Sequence, residues 1–64
     1  MYKRQVLAAL ARLAPRQREV VVLRYWSELS EREIAETLGI ARGTVKSTAS
    51  DALARLNVLL GDLR

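Results

Sequence analysis

Cysteine, histidine and phenylalanine are all absent from this 64-residue chain, and proline occurs once. Without cysteine there is no disulfide and no thiolate to serve as nucleophile or metal ligand. Without histidine the common zinc sets go as well, and with both absent any Cys or His nucleophile–base pair; neither a metal nor another cofactor is expected. No apolar run approaches the ~20 residues that span a bilayer, and no signal-peptide core is visible. A soluble cytoplasmic protein without a membrane partner is the expectation. Strand-like alternation, internal repeats and low-complexity stretches are missing too. A chain this short makes one small domain with a modest core. It has no segment with which to enclose a substrate, so an enzyme is not expected.

What is present is hydrophobic and basic. Half the residues are hydrophobic, too many for a disordered tail, and 11 basic residues against 7 acidic ones give a net charge of +4. That balance suits nucleic acid or an acidic partner. Residues 1–5, Met1-Tyr2-Lys3-Arg4-Gln5, fit poorly with the rest of the chain. They read as a sequencing adaptor or other non-native leader, with an ordinary basic N-terminus as the alternative. On the first reading residues 6–64 are the domain proper, the C-terminal part of a longer protein. Taking away Lys3 and Arg4 leaves nine basic residues against seven acidic and a net charge of +2, so the local arrangement of charge must carry the argument.

The pattern predicts an all-α chain of four short helices. Val6, Leu7, Leu10 and Leu13 recur at helical spacing and predict a first helix over Val6–Leu13. Ala14-Pro15 breaks it, and Pro15 suits the first position of a second helix running to Trp26. Val20, Val21, Leu23 and Tyr25 leave that helix little polar surface, which makes it central, with Tyr25 and Trp26 expected in the core. Ser30-Glu31-Arg32-Glu33 is a capping box, with Leu29 and Ile34 placed to staple it. The third helix ends at Leu38, and Gly39 supplies the left-handed residue of a tight exit. A fourth helix is predicted from Arg42 to about Leu60, with Gly61 as its stop. Its apolar stripe is Val45, Ala49, Ala52, Leu53, Leu56, Leu60 and Leu63.

Three residues between the third and fourth helices force a steep crossing, and a crossing that close needs a small residue, which Ala35 provides. Ala35, Gly39 and Val45 are spaced as in a helix-turn-helix running from about Ser30 to Leu60, within a three-to-four-helix bundle without a wing. If the stripe faces inward, Gly43, Ser47, Ser50 and Ala54 face out, flanked by Thr44, Lys46 and Asp51. Near its start this face is small, polar and basic, which suits the major groove. Gly43 costs a helix about 1 kcal/mol relative to Ala; close approach to a DNA backbone is one reason for it, and an easy fit at the helix entrance is another.

These residues resemble a known family. Leu13-Ala14-Pro15-Arg16-Gln17-Arg18-Glu19-Val20-Val21-Val22-Leu23-Arg24-Tyr25, Leu29-Ser30-Glu31-Arg32-Glu33-Ile34-Ala35-Glu36-Thr37-Leu38-Gly39-Ile40 and Gly43-Thr44-Val45-Lys46-Ser47 look like region 4 of bacterial sigma factors of the extracytoplasmic-function (ECF) group. Thr48-Ala49-Ser50 is similar to a sigma-E-like actinobacterial subgroup. The resemblance implies a domain that reads the −35 promoter element in double-stranded DNA while docked on the flap of the RNA polymerase β subunit, with an anti-sigma factor as a further partner. A LuxR-type regulator output domain shares part of the pattern and stays open, as does a helical protein-interaction module. Two positions depart from the family: Ala41 stands where a capping Ser is usual, and Asp51 where Arg is common.

The DNA-binding residues expected on these grounds are Ser30, Arg42, Gly43, Thr44, Lys46, Ser47 and Ser50. Arg42 and Lys46 suit phosphates or base edges, and Ser47 and Ser50 suit either. Thr44 and the backbone amides near Ser30 suit phosphate, although Thr44 is equally suited to capping its own helix. Arg32 and Arg55 are expected to be solvated or paired locally. Trp26 is an alternative lining for a flap-docking surface. Leu59, Leu60 and Leu63 exceed what four short helices cover, and point to docking or to a frayed end. Glu28, Glu31, Glu33 and Glu36 read as capping and wet-face residues, not as catalytic acids.

Overall fold

A computed structural model describes residues 2–62. The order is α1 (Tyr2–Ala11), α2 (Pro15–Val21), a π-helical turn (Val22–Trp26), α3 (Glu31–Leu38) and α4 (Arg42–Asp62), with no strand among the described residues. The all-α expectation holds, and so does the break at Ala14-Pro15. The bounds differ in three places. α1 begins at Tyr2, so Tyr2–Gln5 of the residues read as a leader belong to the first helix, and it ends at Ala11, with Leu13 in the turn beyond it. The second helix loosens after Val21 into wider i→i+5 bonding, shown by the Ser27 N–H donating to the Val22 carbonyl at 3.1 Å. α4 runs through Gly61 to Asp62; a glycine weakens a helix but does not end it unless the chain then turns left-handed. Leu63 lies outside the described residues.

Local chemistry explains the boundaries. At α2, the Gln17 side chain accepts from the Ala14 N–H at 3.3 Å, while Ala14 has no side-chain oxygen to return the bond. At α3 the box is complete. The Ser30 N–H donates to Glu33 Oε1 at 2.9 Å and the Glu33 N–H donates to Ser30 Oγ at 3.1 Å. Gly39 then adopts φ 69°, and the Ile40 N–H reaches back to the Ala35 carbonyl at 3.0 Å, closing the helix as a left-handed C-terminal cap does. Between the π turn and α3, Glu28 takes φ 56°, a conformation that costs a side-chain-bearing residue roughly 1–2 kcal/mol. Two bonds support it: the Leu29 N–H donates to the Leu23 carbonyl at 3.0 Å, and the Arg24 guanidinium donates to the Leu29 carbonyl at 3.4 Å.

The core falls into two clusters. Val20, Ile34, Ala35, Val45 and Ala49 are buried together, with Leu23, Leu29, Leu38 and Ile40 packed against them. This cluster holds the helix-turn-helix, and Leu29 and Ile34 both belong to it, as the staple requires. Ala9, Leu10, Leu13, Val21, Ala52 and Leu59 form the second, with Val6, Leu56 and Leu60 at its edge. It fixes α1 on the distal half of α4. Neighbouring residues of α2, Val20 and Val21, serve the two clusters separately, which makes this helix the centre of the bundle.

Three core expectations are overturned. Tyr25 and Trp26, expected inside, are 52% and 55% exposed. Val20, Val21 and Leu23 already fill the space beneath α2, and the π turn projects beyond the cover α4 gives. Leu59, read as surplus apolar surface, is fully buried, because α1 lies over that turn of α4. Leu53, placed on the inward stripe, is 44% exposed.

Candidate nucleic-acid interface

α4 owes its orientation to Val45, Ala49 and Ala52, all buried at a spacing of three and four. At ~100° per residue the opposite line carries Gly43, Ser47, Ser50 and Ala54, and all four are exposed. Thr44, Lys46 and Asp51 flank this line, exposed as well, and Arg42, seven residues before Ala49, is exposed at the start of the helix. The fold therefore brings Gly43, Thr44, Lys46, Ser47 and Ser50 onto the first three turns of one solvent-facing surface, with Arg42 exposed at its N-terminal edge.

The Ser47 hydroxyl donates to the Thr44 carbonyl at 3.2 Å. Its proton is thereby used, and it turns oxygen lone pairs outward as an acceptor. Thr44 sits third in α4, and its hydroxyl has no partner among the described residues, so it does not cap the helix. Ala41 holds the cap position, its carbonyl accepting the Val45 N–H at 3.1 Å, but it has no side-chain oxygen. The first-turn amides of α4 are left facing solvent without a cap. Gly43 has no heavy atom within 4 Å of the place a Cβ would occupy, and its φ is not left-handed. Neither packing nor backbone conformation calls for a glycine there.

Ser30 lies on the other helix of the motif, at the start of α3. Its side chain is engaged in the capping box, so what this end offers an anion is the N–H groups of Glu31 and Arg32. The two helix starts differ in field. α3 carries Glu31 and Glu33 in its first turn, whereas α4 carries no acid in its first turn and has Arg42 there, with Lys46 one turn on. Carboxylates oppose the anion attraction of a helix N-terminus and cations add to it. The start of α4 is the electropositive one. The Glu33 carboxyl is held below the ordinary carboxylate range, chiefly by the Ser30 backbone N–H and then by the Ser30 hydroxyl.

The remaining charges are local. Arg32 pairs with Glu36 at 3.4 Å and Arg16 with Glu19 at 3.2 Å, both in solvent, where such pairs contribute ~0–1 kcal/mol. Arg55 is exposed and forms no ion pair among the described residues. The exposed surface that the sequence offered as an alternative for Trp26 extends to two residues it did not name for it: Val22, Tyr25 and Trp26 of the π turn are all exposed, and the Arg24 guanidinium lies 5.8 Å from the Tyr25 ring centre. The bulky run Val20–Trp26 marks the place, but periodicity alone does not tell which of its residues the bundle covers.

A short helix, a left-handed glycine turn and a second helix with a small, basic outer face define a helix-turn-helix module of the DNA-binding class. The chain matches the family model "Sigma-70, region 4" over residues 3–56, and it belongs to that family. Region 4 is the part of sigma factors that binds the −35 promoter element for transcription initiation. The chain is 55% identical over 51 residues to the RNA polymerase sigma-E factor of Streptomyces antibioticus, a match covering 80% of this chain and 28% of that protein. To the RNA polymerase sigma-E factor of Streptomyces coelicolor it is 61% identical over 44 residues, 69% of this chain and 25% of that one. It is also 41% identical over 56 residues to the RNA polymerase sigma factor FliA of Pseudomonas aeruginosa, 88% and 23% of the two. The two sigma-E likenesses agree with the ECF, sigma-E-like resemblance. They give no support to the LuxR-type alternative. The chain spans about a quarter of the length of these relatives.

Proposed function

We propose that this chain is the −35-reading module of an ECF RNA polymerase sigma factor, acting in the cytoplasm and without catalysis of its own. The observation that carries the reading is the two-faced α4. Val45, Ala49 and Ala52 lock one side into the bundle, while Gly43, Ser47 and Ser50 stand exposed on the opposite side, flanked by Thr44 and Lys46, with Arg42 exposed at the helix start. In this reading Arg42 and Lys46 neutralise phosphates or reach base edges, and the α4 amides with Thr44 receive a phosphate. Ser47 and Ser50 face the bases, Ser47 as an acceptor. Gly43 lets the sugar–phosphate backbone come close. Ser30 takes part through the amides it leaves at the start of α3.

Docking on the polymerase β flap is assigned to the π-turn surface of Val22, Tyr25 and Trp26 and not to Leu59, whose burial removes it from any surface. An anti-sigma factor is a second occupant of the same apolar surface in this reading. Promoter duplexes selected from a random pool at low salt test the proposal. Enrichment of one short, non-palindromic motif that Arg42→Ala abolishes is the expected result. Enrichment only of paired half-sites overturns it in favour of a dimeric LuxR-type reader, and no enrichment overturns it in favour of a protein-interaction module.

A further inference from the structure

Asp51 is the one acid on the outward surface of the first three turns of α4. It lies four residues beyond Ser47, on nearly the same line of the helix, and next to Ser50. The side chain is exposed, and among the described residues it forms no ion pair, not even with Arg55 one turn further on. Its carboxylate is thus directed at whatever α4 faces. A carboxylate only accepts hydrogen bonds. In a major groove it is opposed by the phosphates, by guanine N7 and O6 and by thymine O4. The amino donors there are cytosine N4 and adenine N6, and the adenine group sits beside an N7 acceptor that repels the second carboxylate oxygen. Cytosine is the base edge an aspartate fits.

We infer that Asp51 is a specificity-determining residue that selects a cytosine through its N4 amino group. The inference rests on the −35-reading proposal. The register comes from helix geometry. Four residues advance α4 by about 6 Å, and bases on one strand stack about 3.4 Å apart. The cytosine therefore lies within about two base pairs of the position that Ser47 faces.

The test uses the 64-residue chain at low salt, measuring fluorescence anisotropy with the selected duplex and variants carrying each base at each position. Asp51→Asn and Asp51→Ala are compared with the parent, with circular dichroism as the check on folding. The expected result is a preference of about tenfold for cytosine at one position. Asp51→Ala flattens it, Asp51→Asn moves it towards adenine, and preferences elsewhere stay the same. If both variants tighten binding to all duplexes by one common factor, Asp51 only repels phosphate and the inference is overturned. Base preferences that ignore position 51 leave the −35 reading standing and overturn this inference alone. A parent chain with no preference at any position overturns both.

Discussion

Leu59→Ala separates two roles that an apolar residue near the end of a small domain can have. Leu59 is 0% exposed and belongs to the cluster of Ala9, Leu10, Leu13, Val21 and Ala52 that holds α1 on α4. Truncating a buried leucine removes its transfer free energy and leaves a cavity, at a cost of ~2–5 kcal/mol. A domain of this length has roughly 3–10 kcal/mol of stability in total. The variant will therefore lose much of its margin, and a loss of ~3 kcal/mol lowers Tm by roughly 12–24 °C for a domain of this size. Val58 is the control: it is adjacent in sequence, apolar and 54% exposed, and Val58→Ala will change stability by no more than ~0.5 kcal/mol. Thermal and urea unfolding followed by circular dichroism measure both. An unmoved Tm in Leu59→Ala, or equal losses in the two variants, refutes the packing of α1 over the distal half of α4.

Gly43→Ala will stabilise the domain by roughly 1 kcal/mol, since the site has room for the methyl group, and will weaken DNA binding; equal affinity with higher Tm removes the close-approach role. The depressed Glu33 carboxyl contributes stability that is fully present above the ordinary carboxylate pKa and is lost as pH falls through its lower folded value. Glu33→Gln will therefore flatten the acid limb of the pH–stability curve, and an unchanged limb counts against the capping box as its source. Lys46→Ala will lower the slope of log affinity against log salt by about one if the side chain neutralises one phosphate, or relax preference at one base pair if it touches a base; no change in either removes it from the interface. Trp26 is the only tryptophan and lies in solvent, so its emission will shift to the blue when the polymerase flap is added, and an unchanged spectrum at saturation moves docking away from the π turn.

Much of the helix-turn-helix is legible without coordinates because its signals are local. Ser30 with Glu33, and Gly39 after Leu38, act through bonds within a few residues of themselves, and the spacing then places Ala35 and Val45. The outward face of α4 is set by Val45, Ala49 and Ala52 through the period of a helix. What depends on distant neighbours is not legible in the same way. Leu59 lies seven residues beyond Ala52 on the buried line and Val58 does not, but how far along α4 that line is covered depends on the placement of α1. Tyr25 and Trp26 continue an apolar run, yet the core beneath α2 is full before the chain reaches them. Nor does the composition of Val22–Trp26 announce the change to i→i+5 bonding, which is tied to the return of Leu29 under the positive φ of Glu28.

The 21-residue α4 passes through both clusters, so its near end carries the face proposed to read DNA and its far end packs on α1. The helix acts as a keyed shaft. Its length between Ala49 and Ala52 sets a phase as well as a distance, and one residue lost or gained there turns the reading face by about 100° against α1. Substitutions along the exposed line can accumulate freely, whereas insertions and deletions in the same stretch cannot. Drift in the recognised DNA sequence is thereby open to this fold by exchange of side chains, and closed to it by changes of length.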